Sequence, residues 1–262
     1  MNLAVSNIAW DASVDEAMYQ NLRNLGYKGL EIAPSRIFPH QPYDNLLGAA
    51  LWQKNLREKY SLTVPSMQSI WYGRSEKLFG SEEEMAALFN YTKKAIDFAN
   101  VIFCRNLVFG CPKNRILQKP EDYKLGIEFF VKIADYGESV GAFIGLEANP
   151  AIYGTNYINT TDDALKLLRE VDKAYFRLNL DVGTMIANEE NPEILAGNVA
   201  LISHVHISEP YLKPIKKRQI HKELAELLYS ERYDGFVSVE MGKVDDVTEI
   251  CRVLEYVRGI FG

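Results

Sequence analysis

Short apolar segments alternate with longer amphipathic segments eight times along this chain of 262 residues. Apolar runs bounded by turn residues predict buried strands, and apolar residues that recur every three or four positions predict helices. The predicted strands cover residues 3–9, 29–33, 63–68, 106–110, 143–147, 177–181, 204–207 and 237–240. Strands that alternate with helices form parallel β–α units, so this order strongly restricts the folds open to the chain.

Eight units in 262 residues average about 33 residues each, which predicts an α/β fold, a single (β/α)8 TIM barrel spanning residues 1–262. A chain of this length can bury a full core without cross-links. The pairs Ser13 with Glu16 and Ser81 with Glu84 predict capping boxes at two helix starts. A doubly wound open sheet is the alternative, and it is disfavoured because no Gly-x-Gly-x-x-Gly follows the first predicted strand.

Charge and composition exclude several classes of protein. The chain has 29 Lys and Arg against 35 Asp and Glu, a net charge of −6, whereas a nucleic-acid binder needs a basic face. No apolar run approaches the ~20 residues of a membrane span, and residues 1–10 lack the features of a signal peptide. The 3 cysteines form no Cys-x-x-Cys pair, as expected for reduced thiols. We therefore expect a cytoplasmic protein with no nucleic-acid or membrane partner.

Four polar residues interrupt the apolar pattern of the last four strands, namely Glu147, Asp181, His206 and Glu240. Each lies at or near the carboxyl end of its strand, the face where barrel active sites are built. Side chains alternate between the two faces of a strand, so with the bulky apolar neighbours facing the helices these four point into the barrel. The sequence therefore predicts that two Glu, one Asp and one His meet at one mouth, which would be the active site.

Three carboxylates gathered at one mouth would repel one another. One divalent cation would compensate their charge and accept both oxygen and nitrogen ligands, and the set suits Mn²⁺, Co²⁺ or Mg²⁺ about as well as Zn²⁺. The alternative is a separate salt bridge for each residue. It is disfavoured because all four share the same position and the same strand face.

The order Glu, Asp, His, Glu on strands five to eight resembles that of the xylose isomerase-like TIM barrels, a superfamily of sugar isomerases and epimerases. The matching stretches are residues 145–150, 180–184, 204–209 and 238–241, and residues 157–160 resemble the ketose 3-epimerase branch. The resemblance implies that Glu147, Asp181, His206 and Glu240 are metal ligands. It also implies that Glu147 and Glu240 are the catalytic residues that move the proton.

Three positions depart from the ketose 3-epimerase pattern. Thr184 stands where that branch has a His, Tyr153 where it has a second Glu, and Leu212 where it has an Arg. In that branch these residues hold the hydroxyl groups of the substrate. The resemblance therefore implies the metal chemistry but does not extend to a free ketohexose as substrate.

Further polar residues follow the predicted strands or open the helices near the mouth. We predict that they bind substrate, by hydrogen bonds, by charge or by stacking on a sugar ring; core packing, support of the ligands or a surface position is the alternative for each. They are Gln68, Tyr72, Lys113, Asn156, Glu209 and His221. Glu31 also points into the barrel, where we expect it to be structural or to support the ligands.

The leading hypothesis is a divalent-metal-dependent isomerase or epimerase of a sugar or sugar derivative that works through an enediolate, with two glutamates as acid and base. The alternative is a lyase or dehydratase of the same fold acting on a cyclitol or keto-acid. A non-catalytic sugar-binding barrel is a weaker alternative, and an abasic-site endonuclease is disfavoured because only 4 His are present. The expected partner is a small carbohydrate-like molecule, and a homo-oligomer remains open.

Overall fold

The computed structural model describes residues 1–262 and contains eight strands and nine α-helices. The strands are β1 (Asn2–Ser6), β2 (Gly29–Glu31), β3 (Ser66–Met67), β4 (Asn106–Phe109), β5 (Phe143–Leu146), β6 (Phe176–Asp181), β7 (Ile202–Ile207) and β8 (Phe236–Val239). The helices are α1 (Asp15–Asn24), α2 (Pro34–Ile37), α3 (Leu46–Tyr60), α4 (Glu82–Val101), α5 (Asp122–Val140), α6 (Thr161–Val171), α7 (Val182–Ala187), α8 (Gln219–Ser230) and α9 (Val247–Phe261).

All strands pair in parallel, in the order β2-β1-β8-β7-β6-β5-β4-β3. Two isolated bridges, Gly29 with Thr63 and Ile32 with Met67, join β2 to β3 and close the ring. The predicted (β/α)8 barrel is confirmed. In such a barrel the carboxyl ends of all eight strands open onto one face.

The helices begin and pack as their sequences indicate, with one exception. Ser81 and Glu84 form the predicted capping box of α4. Before α1, however, the side chain of Asp11 accepts the backbone N–H of Ser13, so the capping box predicted at Ser13 is absent. The helix α9 buries Ile250, Leu254, Val257 and Phe261 against the barrel.

Every strand differs from its predicted bounds by at least one residue, and the first and third strands differ most. The side chain of Asn7 accepts the backbone N–H of Ala33 at 2.9 Å, and residues 7–9 turn into a 3₁₀-helix instead of extending β1. Pro65 has no N–H to contribute to a ladder, and β3 keeps only two residues. The strand β7 starts earlier than predicted and carries a bulge at Ser203, which hydrogen-bonds into the barrel interior.

The interior of the barrel below its mouth is polar. The amide of Asn106 donates to Ser66 at 3.0 Å and to Asn179 at 3.3 Å, and both partners are buried. Gly145 makes room for this network, because a Cβ there would lie 2.7 Å from the Asn106 amide oxygen. The network supports the side chains of the mouth from beneath. None of the nine α-helices combines the length and apolarity needed to cross a bilayer.

Candidate metal centre and active site

The four residues predicted as ligands lie together at the mouth of the barrel. Glu147 and Glu240 directly follow β5 and β8, Asp181 ends β6, and His206 lies in β7. Strand register places Asp181 opposite His206 and His206 opposite Ser238. One ligand atom from each of the four residues lies within 4.8 Å of the others.

The ring of His206 is held so that one nitrogen faces the carboxylates. Its Nδ1 lies 3.0 Å from Glu147 Oε1 and 3.3 Å from Glu240 Oε2. Its Nε2 lies 2.9 Å from Glu31 Oε1 on the opposite side of the ring. Carboxylates commonly hold the far nitrogen of a metal-binding His in this way, so Nδ1 is the atom that would bind a metal.

Glu31 is fully buried beneath the mouth and is well supplied with hydrogen-bond donors. Ser66 and Ser238 each donate a hydroxyl to it at 2.9 Å. Burial opposes ionisation, but the charges and hydrogen bonds of His206 and His204 hold the pKa of Glu31 well below its usual value. Burial would likewise lower the pKa of His206, but the surrounding carboxylates hold it well above its usual value. In the metal-free protein, therefore, an imidazolium compensates part of the carboxylate charge.

The other carboxylates of the mouth are crowded. Burial and the charge of Glu147 raise the pKa of Asp181 to about 6, although Thr184 N–H donates to it at 2.5 Å. Burial and the neighbouring carboxylates raise the pKa of Glu240 to about 7 in spite of the nearby His206. The raised pKa values show that protonation relieves the repulsion among the three carboxylates. A divalent cation would relieve the same repulsion, and three carboxylates with one imidazole are a donor set that fits such an ion.

Glu147 is held by amide donors and a buried guanidinium. Asn179 donates to its Oε1 at 3.0 Å and Asn149 to its Oε2 at 3.1 Å. Arg115, which is fully buried, donates to the Asn149 amide oxygen at 2.6 Å and to the Glu147 backbone carbonyl at 3.0 Å. Because the Asn149 amide oxygen accepts from Arg115, the N–H₂ group of the same amide faces Glu147.

Two glycines allow the ligands to sit where they do. A Cβ at Gly110 would lie 2.6 Å from Glu147 Oε2. A Cβ at Gly183 would lie 2.7 Å from the Ser208 hydroxyl, which donates to Asp181. Any larger residue at either position would displace a side chain of the candidate metal centre.

A cavity of about 510 Å³ leads from the metal centre to the surface, and both Glu147 and Glu240 line it. Its walls come from the loops after β3 and β4, and they include Gln68, Tyr72 and Lys113 from the predicted substrate-binding set. Gln68 donates to Glu240 Oε1 at 2.8 Å. Three of the six predicted substrate-binding residues therefore share one cavity with the two glutamates.

The other three predicted substrate-binding residues have protein partners. The Asn156 amide is paired with the Leu117 backbone in both directions, at 2.8 and 3.1 Å. Arg218 binds Glu209 through two hydrogen bonds, at 2.7 and 2.6 Å. His221 is buried in α8 rather than exposed at the mouth, with Nδ1 2.9 Å from the Tyr256 hydroxyl. Their roles toward a substrate stay predictions.

The sequence pattern of the xylose isomerase-like TIM barrel family matches residues 19–257. The chain belongs to this family. A comparison with curated proteins finds no match.

Solved structures of this xylose isomerase-like fold superpose over the whole barrel. A D-psicose 3-epimerase in the presence of D-fructose has a TM-score of 0.80 at 16% identity, with 100% of both chains covered. The 3-keto-D-glucoside 4-epimerase from E. coli has a TM-score of 0.79 at 17% identity, with 99% of both covered. A sugar phosphate isomerase/epimerase from Parabacteroides distasonis has a TM-score of 0.73 at 15% identity, with 98% of this chain and 92% of that chain covered. At such identities the likeness shows the fold.

The sequence pattern alone does not show how several residues support this xylose isomerase-like site. Asn179 shares a strand face with Asp181, so its inward direction follows from the alternation, although its contact with Glu147 does not. Arg115 and Asn149 lie on irregular loops, and no periodic signal applies to them. Only the tertiary structure shows that they support Glu147.

Proposed function

We propose that this protein is a divalent-metal-dependent isomerase or epimerase of a sugar or sugar derivative. The observation that carries the proposal is the cluster of Glu147, Asp181, His206 and Glu240 at the barrel mouth, with both glutamates on the wall of the cavity. Family membership supports it, and so do the structural neighbours, which are named as sugar epimerases and isomerases.

The four clustered residues would hold one Mn²⁺, Co²⁺, Mg²⁺ or Zn²⁺ ion, with Nδ1 as the ligand atom of His206. A divalent cation supplies Lewis-acid polarisation of a carbonyl, which acidifies the hydrogen on the neighbouring carbon. Glu31 would keep its hydrogen bond to Nε2 and thereby hold the imidazole in the tautomer that leaves Nδ1 free.

The two glutamates would move the proton. Glu147 and Glu240 each have one oxygen near His206 Nδ1 and a second oxygen held by an amide, from Asn149 and Gln68 respectively. The second oxygens are Glu147 Oε2 and Glu240 Oε1. One would take the proton from carbon and the other would return it, each as a positioned general acid or base. Return to the opposite face of the same carbon inverts it, and return to the adjacent carbon, together with transfer of the hydroxyl proton to the former carbonyl oxygen, isomerises the sugar.

Metal analysis and proton exchange test this function together. The protein is purified without chelator, and its metal content is measured beside that of His206→Ala. We expect about one divalent ion per chain, lost in the variant. Ketoses, keto-acids and their phosphates are then incubated with the protein in D₂O, and we expect deuterium to enter a substrate C–H bond.

Glu240→Gln should abolish the interconversion of substrate and product while metal stays bound, because the amide can neither remove nor return the proton. The matched control is Glu128→Gln, because Glu128 is exposed on α5. This variant should catalyse both the interconversion and the deuterium exchange at the wild-type rate. Interconversion of substrate and product that survives Glu240→Gln would contradict the role of Glu240. A product lighter by one water would identify a lyase instead, and ligand binding without exchange or turnover would identify a sugar-binding barrel.

A further inference from the structure

The cavity over the loops that follow β3 and β4 is larger than one sugar ring requires. About twelve non-hydrogen atoms of a hexose, at no more than the ~30 Å³ that a water molecule occupies in the liquid, fill at most about 360 Å³. The cavity measures about 510 Å³ and reaches from Glu147 and Glu240 to the surface. A sugar ring placed at the metal centre therefore leaves space on the side of these two loops.

The loops after β5 and β6 offer few free groups for a sugar. The Thr184 hydroxyl is buried and donates to the Ala148 carbonyl at 2.8 Å. The Tyr153 hydroxyl accepts the backbone N–H of Tyr211 at 2.8 Å, and the two rings pack edge to face. The hydroxyl groups at these two positions are thus engaged with the protein itself.

The chemistry of the outer cavity suits a neutral ring better than an anion. Tyr72 forms part of its wall and is 72% exposed, so it presents an open aromatic surface. The guanidinium of Arg74 is paired with Glu76 and stacks over Tyr91 at 4.8 Å. The other cation of the lining is Lys113, and a single lysine is not a phosphate clamp.

We infer that the substrate is a ketose that carries a second ring or a similarly bulky neutral substituent, and that this substituent lies against Tyr72 in the outer cavity. The inference rests on the proposed function for the position of the reacting carbonyl. It adds a substrate class and an outer binding subsite to that function.

Binding by the non-reacting Glu240→Gln protein with Mn²⁺ added tests the subsite. Three probes share a fructose unit: D-fructose, fructose 6-phosphate, and isomaltulose, which carries a glucosyl group at the same oxygen as the phosphate. Calorimetry should give isomaltulose a Kd about tenfold or more below that of fructose. Tyr72→Ala, added to Glu240→Gln, should weaken the binding of isomaltulose by about five- to tenfold and change the affinity for fructose by less than twofold. Tyr229→Ala removes an exposed tyrosine outside the cavity and should change the affinity for neither sugar.

Each result separates the subsite from the proposed function. Equal affinities for fructose and isomaltulose, or no effect of Tyr72→Ala, would overturn the subsite, while deuterium exchange by the wild type would still uphold the function. Tighter binding of fructose 6-phosphate than of isomaltulose would also overturn it, in favour of an anionic substrate. The expected binding pattern without exchange on any probe would uphold the subsite and contradict the function.

Discussion

Replacing Glu31 by Gln tests whether this buried carboxylate orients the metal-binding histidine. The amide has the shape of the carboxylate, and it can still accept from His206 Nε2 at one atom and meet the Ser238 hydroxyl at the other. What the substitution removes is the negative charge behind the imidazole. We therefore expect a folded protein with a weakened metal site.

The size of the effect follows from the contacts of Glu31. Loss of a carboxylate behind a metal-bound histidine typically weakens metal binding about 10- to 100-fold, or about 1.4–2.8 kcal/mol. In the metal-free protein the charge partner of a buried imidazolium is lost, which costs about 3 kcal/mol of unfolding free energy. That loss is smaller than the roughly 5–15 kcal/mol of a typical domain, so the variant should stay folded.

Competition titration of Mn²⁺ or Co²⁺ against a chromophoric chelator measures the affinity, and urea unfolding measures the stability. Asp122→Asn is the control, because Asp122 is also a buried carboxylate but accepts two backbone N–H groups at the start of α5. It should lower stability and leave metal affinity unchanged. A folded Glu31→Gln protein that binds metal within twofold of the wild type would refute the orienting role of Glu31.

Three further predictions concern pH and the support of Glu147. Folding raises the pKa of Glu240 to about 7 and holds that of His206 well above its usual value, so above about pH 6.5 the metal-free folded protein binds more protons than the unfolded chain. At lower pH the raised pKa of Asp181 is opposed by the lowered pKa values of the buried His204 and His221. The melting temperature of the metal-free protein should therefore fall between about pH 6.5 and about pH 8, while the stabilisation by added Mn²⁺ grows; melting temperatures with and without Mn²⁺ that differ by a constant amount would contradict this. Gly110→Ala should lower kcat/KM by about 100-fold through displacement of Glu147, whereas Gly259→Ala, which meets no atom within 4 Å, should leave it unchanged and stabilise α9 by about 0.5–1 kcal/mol. Asn149→Ala should reduce the exchange rate and cost about 1–3 kcal/mol of unfolding free energy, because Arg115 loses an acceptor; wild-type exchange kinetics would show that Asn149 does not position Glu147.

The barrel itself was predictable because its signals are local. Each apolar run and each amphipathic stripe reports a strand or helix directly, and eight repeats leave few topologies. Two of the errors occur where a side chain replaces a backbone partner, as Asn7 does after β1 and Asp11 does before α1. The hydrophobic periodicity of a sequence does not indicate such a contact.

The sequence by itself determined which side chains reach the mouth of the barrel. Glu147, Asp181, His206 and Glu240 owe their direction to strand alternation and their common level to the carboxyl ends of parallel strands, and both are properties of the chain order. What only the tertiary structure decided is how these side chains are held. The pairing of Glu31 with His206 spans 175 residues, and that of Gln68 with Glu240 spans 172, so each depends on the closure of the ring. The cavity is likewise a product of packing, because its walls come from loops whose conformation no repeat specifies.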